Sequence, residues 1–120
     1  MNETLMIKSI QDYLAAWNAQ TAAEREMLLQ SCLTDNVIYI DPHAPDRVRG
    51  IDGMQALMER FRSRFDHKLE PEGTVDMHHN VFRLRWRLQR DSGEILSCGL
   101  MVGDLTNTGL IERIVQFVDA

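Results

Sequence analysis

The stretch Val37-Ile38-Tyr39-Ile40-Asp41-Pro42 decides how the rest of this chain reads. Its β-branched and aromatic residues predict a strand that ends in a carboxylate just before a proline. Strand side chains alternate faces, so Val37, Tyr39 and Asp41 share one side while Ile38 and Ile40 share the other. An acid on the side of Val37 and Tyr39 points to the wall of a pocket. Asp-Pro is also an ordinary turn starter, and aspartates at strand ends are commonly solvated. Both readings of Asp41 stay open at this level.

Upstream, Met6, Ile10, Tyr13, Leu14 and Trp17 recur at three- and four-residue steps and predict a helix from about Thr4 to Asn18. Tyr13 and Trp17 each carry one polar atom into that apolar stripe. They are either plain core residues or groups waiting for a hydrogen-bond partner, which a ligand can supply. Thr21-Ala22-Ala23-Glu24 fits a capping box and starts a second helix, which runs to about Cys32 with Met27, Leu28 and Cys32 as its buried side.

Downstream, the prolines and polar residues of 42–50 read as a loop. A third helix is expected from Asp52 to Phe65, with Met54, Leu57, Met58, Phe61 and Phe65 as its apolar face. Glu59, Arg60, Arg62 and Arg64 fall on its wet side, a solvated face rather than a binding patch. From Lys68 the texture changes to strands. Residues 74–79 and 81–89 alternate, and Asp91-Ser92-Gly93 reads as a hairpin turn. Glu94 to Leu105 and Leu110 to Val118 follow, with Thr106 to Gly109 as the turn between them. Three helices followed by a strand meander predict an α+β fold, the helices packed on one face of a strongly curved, mostly antiparallel sheet.

The 120 residues form one expected domain, enough to bury roughly two thirds of the unfolded surface. Net charge is −5, from 13 basic and 18 acidic side chains, which leaves no electrostatic footprint for nucleic acid or an anionic membrane. No apolar run is long enough to span a bilayer. The first residues lack the basic-then-apolar order of a secretory signal. Cys32 and Cys98 have neither CxxC nor metal-ligand spacing and read as reduced core thiols, so a cytoplasmic protein is expected.

A curved sheet closed by helices leaves a conical interior, a natural small-molecule pocket. Its expected lining is Tyr13, Trp17, Tyr39, Leu57, Phe61, Phe82, Trp86 and Phe117, with Asp41 the ionisable group among them. Desolvation would raise the pKa of such a carboxylate and suit it to general-base work. His78 and His79 are neighbours on a strand and face opposite sides. Parity with Phe82 and Trp86 favours His78 as the inward one. His43 is expected near the pocket mouth, and His67 as a cation capping the third helix. No histidine pair has metal spacing, and neither a metal nor a cofactor is expected. On the outer sheet face, Val81, Arg83, Arg85 and Arg87 beside Leu96, Leu100 or Val102 make either a protein interface or a solvated arginine ladder.

Two segments, 11–19 and 33–42, together with Gly50 ahead of the third helix and the pattern from Gly99 through Gly109-Leu110-Ile111 to Phe117, resemble the nuclear transport factor 2-like superfamily. Within it the resemblance is to the SnoaL-like and ketosteroid-isomerase-like branch, and it covers nearly the whole chain. It implies a cone-shaped α+β fold and a homodimer formed through the outer sheet face. It also implies proton transfer alpha to a carbonyl, with Asp41 as base and Tyr13 as the donor that polarises the ketone, the pKa-tuned arrangement for which ketosteroid isomerase is a standard example. The branch's second oxyanion donor, an aspartate on the next-to-last strand, falls near Met101 or Val102, both apolar. Met101 is therefore counted as ligand-facing, and Asp104 belongs to the following turn. The alternative on the same scaffold is a non-catalytic ligand-binding or dimerisation module. Epoxide hydrolysis, a third chemistry of the superfamily, needs a carboxylate, arginine and carboxylate set that does not assemble here.

Overall fold

In the computed structural model, which describes residues 3–64 and 67–119, the apolar stripes of three helices meet the concave face of one sheet. Helices α1 (Glu3–Asn18) and α2 (Ala22–Cys32) precede strands β1 (Leu33–Ile40) and β2 (Val48–Arg49). Helix α3 (Gly50–Arg64) and strands β3 (Lys68–His78), β4 (Val81–Gln89), β5 (Ile95–Leu105) and β6 (Ile111–Val118) complete the chain. The sheet order is β2-β1-β6-β5-β4-β3, and its β1–β6 pair is parallel while the other pairs are antiparallel. This is the expected α+β architecture. Among the described residues no helix is long and apolar enough to cross a membrane.

The expected stripe of α1 is buried in full, from Met6 to Trp17. Thr21 caps α2 by accepting from the Glu24 N–H at 3.1 Å. The inner side of α2 differs from expectation: Met27 is 73 % exposed, and Arg25, Leu29 and Cys32 point inward at i, i+4 and i+7. Arg25 reaches the core because its guanidinium donates to the Ala19 carbonyl at 3.2 Å. Burial, with Asp12 nearby, pushes the Cys32 thiol up to about 12 and leaves it unreactive. Cys98 is half-buried opposite Arg87 rather than a core thiol. Helix α3 begins at Gly50, two residues earlier than expected; its assigned residue Phe65 lies outside the described residues.

Turns and irregularities set which side chains face in. A two-residue turn at His79 (φ 48°) and Asn80 (φ 63°) joins β3 to β4 and pairs His78 with Val81 and Met77 with Phe82. His78 is therefore exposed, correcting the parity count that carried it inward across the turn. In β6, Glu112 is one residue more than β5 can pair, because Asp104 faces Arg113 and Leu105 faces Ile111. The inward set becomes Ile111, Ile114 and Gln116, and Phe117 turns outward at 56 % exposure, against expectation. A similar slip between Leu88 and Gln89 lets Leu96 leave the outer face.

Two glycines on β5 allow the sheet's large inward aromatics to lie flat. Gly99 pairs with Trp86 and Gly103 with Phe82. A Cβ on Gly99 would sit 2.1 Å from the Phe117 carbonyl oxygen and 2.3 Å from the Trp86 ring, and one on Gly103 would sit 2.4 Å from the Phe82 ring. Gly99→Ala is therefore expected to destabilise the protein by on the order of 2–3 kcal/mol. Urea denaturation would show it as a lower midpoint at unchanged slope.

Candidate functional site

A cavity of about 790 Å³ opens between α3, the end of β1 with its following loop, and the concave face of the sheet. Its apolar wall is built by Trp17, Leu57, Phe61, Leu69, Trp86 and Leu88. Trp17 is the hub of that wall, edge-on to Phe61 at 5.5 Å and to Tyr13 at 6.5 Å between ring centres. Asn18, next to it, uses its amide as a missing strand partner. Its Oδ1 accepts from the Leu69 N–H at 2.8 Å and its Nδ2 donates to the Leu69 carbonyl at 2.9 Å, which locks α1 to β3.

Asp41 sits half-buried at the edge of this wall. Tyr39, on the same face as the strand alternation requires, donates its hydroxyl to Asp41 Oδ2 at 2.5 Å. The backbone N–H of His43 donates to Oδ1 at 2.7 Å. Each carboxylate oxygen thus carries one fixed donor and keeps a lone pair. His43, with Ala44 and Pro45, borders the cavity.

The parallel pairing of β1 with β6 sets the partner of Asp41. Tyr39 is level with Ile114 and Ile40 with Val115, and the residues that follow on the two strands, Asp41 and Gln116, both line the cavity. Gln116 lines the cavity, and its Nε2 donates to the Tyr13 hydroxyl at a long 3.5 Å. Its Oε1 and the Trp86 Nε1 are buried polar atoms without a hydrogen-bond partner among the described residues. An unmet buried polar atom costs about 1–3 kcal/mol, which a ligand reached by a small turn of the amide or indole would offset.

Of the sequence-derived site residues, Trp17, Tyr39, Asp41, Leu57, Phe61 and Trp86 come together on the cavity. Tyr13 does not line it. It is fully buried, and its hydroxyl meets the Gln116 amide. Phe82 and Met101 are core residues, stacked below the wall rather than on it. His78 and Phe117 lie outside, for the reasons of register given above. His67 is buried against Phe61 with ring centres 4.4 Å apart, not a solvated cap. Asp104 is on the outer face, 3.6 Å from Arg113. Three functional candidates were missed. Gln116 could have been noticed as a polar residue two positions from Ile114 in an apolar strand. Arg60 and Arg64 border the cavity because they continue the helical stripe of Leu57 and Phe61. Among the described residues no group of three or more His, Cys, Asp and Glu side chains is placed to hold a metal.

No protein-family model matches the chain, and no curated protein matches it. Solved structures do. One is from Agrobacterium tumefaciens str. C58, named as a candidate isomerase of the SnoaL-like family. It is 32% identical over 98% of this chain and 99% of its own, with a TM-score of 0.88. A candidate SnoaL-like polyketide cyclase from Jannaschia sp. CCS1 shares 16% identity over 96% and 88% of the two chains, with a TM-score of 0.71. TerC, co-crystallised with polyporic acid, shares 11% identity over 96% and 92%, with a TM-score of 0.73.

Both tyrosines of the chain flank this site, and burial holds both hydroxyls well above the usual phenol range. For Tyr13 the Trp17 indole and the Gln116 amide offset part of that effect. For Tyr39 the neighbouring Tyr13 and Asp41 add to it, and the bond to Asp41 further favours the protonated donor. Folded-state values above the unfolded one mean that unfolding releases protons at high pH. This contribution to stability is complete below about pH 10 and is lost as pH rises beyond it, by roughly 1.4 kcal/mol per unit for each tyrosine. Phenolate absorbance is expected to rise only together with unfolding when the protein is titrated with alkali; a phenolate signal from folded protein would contradict the placement of these rings.

Proposed function

The chain belongs to the SnoaL-like family, and from that premise we propose that it binds a small apolar or cyclic molecule in the cavity and moves a proton at the carbon alpha to its carbonyl. The observation that carries this reading is that Asp41 and Gln116, from parallel neighbouring strands, line one cavity whose wall is largely apolar. In this reading Asp41 takes the proton, and the C–H electron pair passes to the carbonyl oxygen as an enolate. Tyr39 is committed to Asp41 and holds the carboxylate in place. The growing oxyanion needs a separate donor, and Gln116 Nε2, which gives one N–H to Tyr13, has a second N–H for that role. Tyr13 then acts on that amide from behind as a positioning residue rather than touching the substrate. Neighbours named as candidate isomerases and polyketide cyclases support this class of chemistry. The co-crystallisation of TerC, a neighbour of the same fold, with polyporic acid supports small-molecule binding on this scaffold.

A thermal-shift screen of cyclic ketones, steroids, terpenoids and polyketide-like aromatics would find binders, and loss of α-deuterium to water would then report proton transfer. Asp41→Asn is expected to lower that exchange roughly 10²–10⁴-fold while ligand binding persists. Binding with no exchange in the wild type would leave a non-catalytic binding module.

The outer sheet face belongs to the same reading as a homodimer surface. Exposed Phe117 and half-buried Leu100, Val102 and Val115 form an apolar strip between the ion pairs Arg85–Asp119 and Arg113–Asp104. Phe117→Glu is expected to convert a dimer into a monomer in analytical ultracentrifugation; an unchanged sedimentation coefficient would remove this face from the interface.

A further inference from the structure

Four residues of α3 face the cavity: Leu57, Arg60, Phe61 and Arg64. Their spacing of i, i+3, i+4 and i+7 is one continuous helical stripe, apolar deeper down and cationic toward the surface. Arg62, between them, points elsewhere and donates from Nη1 to the His67 carbonyl at 2.6 Å. Among the described residues, neither Arg60 nor Arg64 takes part in an ion pair. The cavity lining thus holds two arginines against one carboxylate, Asp41, which already has Tyr39 and the His43 N–H as donors. The chain as a whole carries a net charge of −5, so the sign of the rim is opposite to that of the protein. Acidic partners for two exposed arginines would be easy to place on such a surface.

We infer that the molecule this cavity takes carries a carboxylate, held at the mouth by Arg60 and Arg64 while its apolar body lies against Trp17, Phe61 and Trp86. The inference rests on the small-molecule reading of the cavity and narrows it to organic acids. The planar guanidinium fork matches a carboxylate with two parallel hydrogen bonds. A cationic mouth on an acidic protein also draws anions toward this opening and away from the rest of the surface. The anion and the reacting carbon occupy different parts of the molecule, the first at the α3 rim and the second at the ends of β1 and β6. An extended ligand with its acid at one end satisfies both.

The chain's two tryptophans, Trp17 and Trp86, both line the cavity, so intrinsic fluorescence reports on its occupation. The experiment titrates anthracene-2-carboxylate and its methyl ester into the wild type, an Arg60→Gln/Arg64→Gln variant and a Lys8→Gln/Arg90→Gln variant. The last removes the same charge from two residues that do not line the cavity. The acid is expected to bind wild type roughly tenfold more tightly than the ester, with the preference shrinking as salt is raised. That preference should vanish in the rim variant, persist in the control, and leave ester binding unchanged in all three. Equal affinity for acid and ester in the wild type overturns the inference while the small-molecule reading stands. A preference that survives in the rim variant overturns the assignment to Arg60 and Arg64. Binding of neither probe, with both tryptophans unperturbed, removes the small-molecule reading and the inference together. Circular dichroism melts of the variants separate these outcomes from loss of folding.

Discussion

The stacking of two aromatic rings on two glycines underlies the geometry of this protein. Trp86 and Phe82 cross from β4 onto Gly99 and Gly103 of β5, where any side chain would collide with ring or backbone. A large ring facing an empty position lets neighbouring strands lean together on the concave side, and bulges on either flank add to the bend. Phe82 and Met101 are thereby withdrawn into the core, and Trp86 remains as the floor of the cavity. The helices need only cover a hollow that the sheet has already made. This also explains why the space is apolar: the residues that shape it are the ones that bury most surface.

What could be read from the chain beforehand was whatever depends on local period. The stripe from Met6 to Trp17, the Thr21 cap and the alternation from Val37 to Asp41 are all matters of three or four residues, and each is present in the fold. The misplacements share another cause. His78 and Leu96 were assigned to faces by counting in twos, each across a turn or an extra residue, and Phe117, expected inward, is turned out by the extra residue at Glu112. One inserted residue inverts every side chain after it, and its position depends on pairing with a distant strand. Gln116 was hidden for the same reason, since its face became the inner one only through the slip at Glu112. Arg60 and Arg64 were overlooked because a charged residue was equated with a wet one. A long side chain can border a cavity with its stem and keep its charge at the rim.

The charge distribution has a corresponding logic. An exposed ion pair contributes little to stability, and those on the sheet's outer face are of that kind. The polar contacts that matter to the site are neutral or half neutral: a phenol and a backbone amide on one carboxylate, an asparagine amide on one strand end. They fix positions at low desolvation cost, because just one charge, that of Asp41, is partly removed from water.

Parallel pairing of β1 with β6 then has a consequence that an antiparallel neighbour would not give. Both strands deliver their C-terminal ends to the same side, so Asp41, just after β1, and Gln116, near the end of β6, line one cavity. Tyr39, one step back on its strand, is level with Ile114, an apolar residue that offers its hydroxyl no competitor. The phenol is left to Asp41 alone, and the amide of Gln116 is left to Tyr13 and the cavity. Strand direction, more than any single side chain, therefore determines which residues of β1 and β6 meet at the cavity.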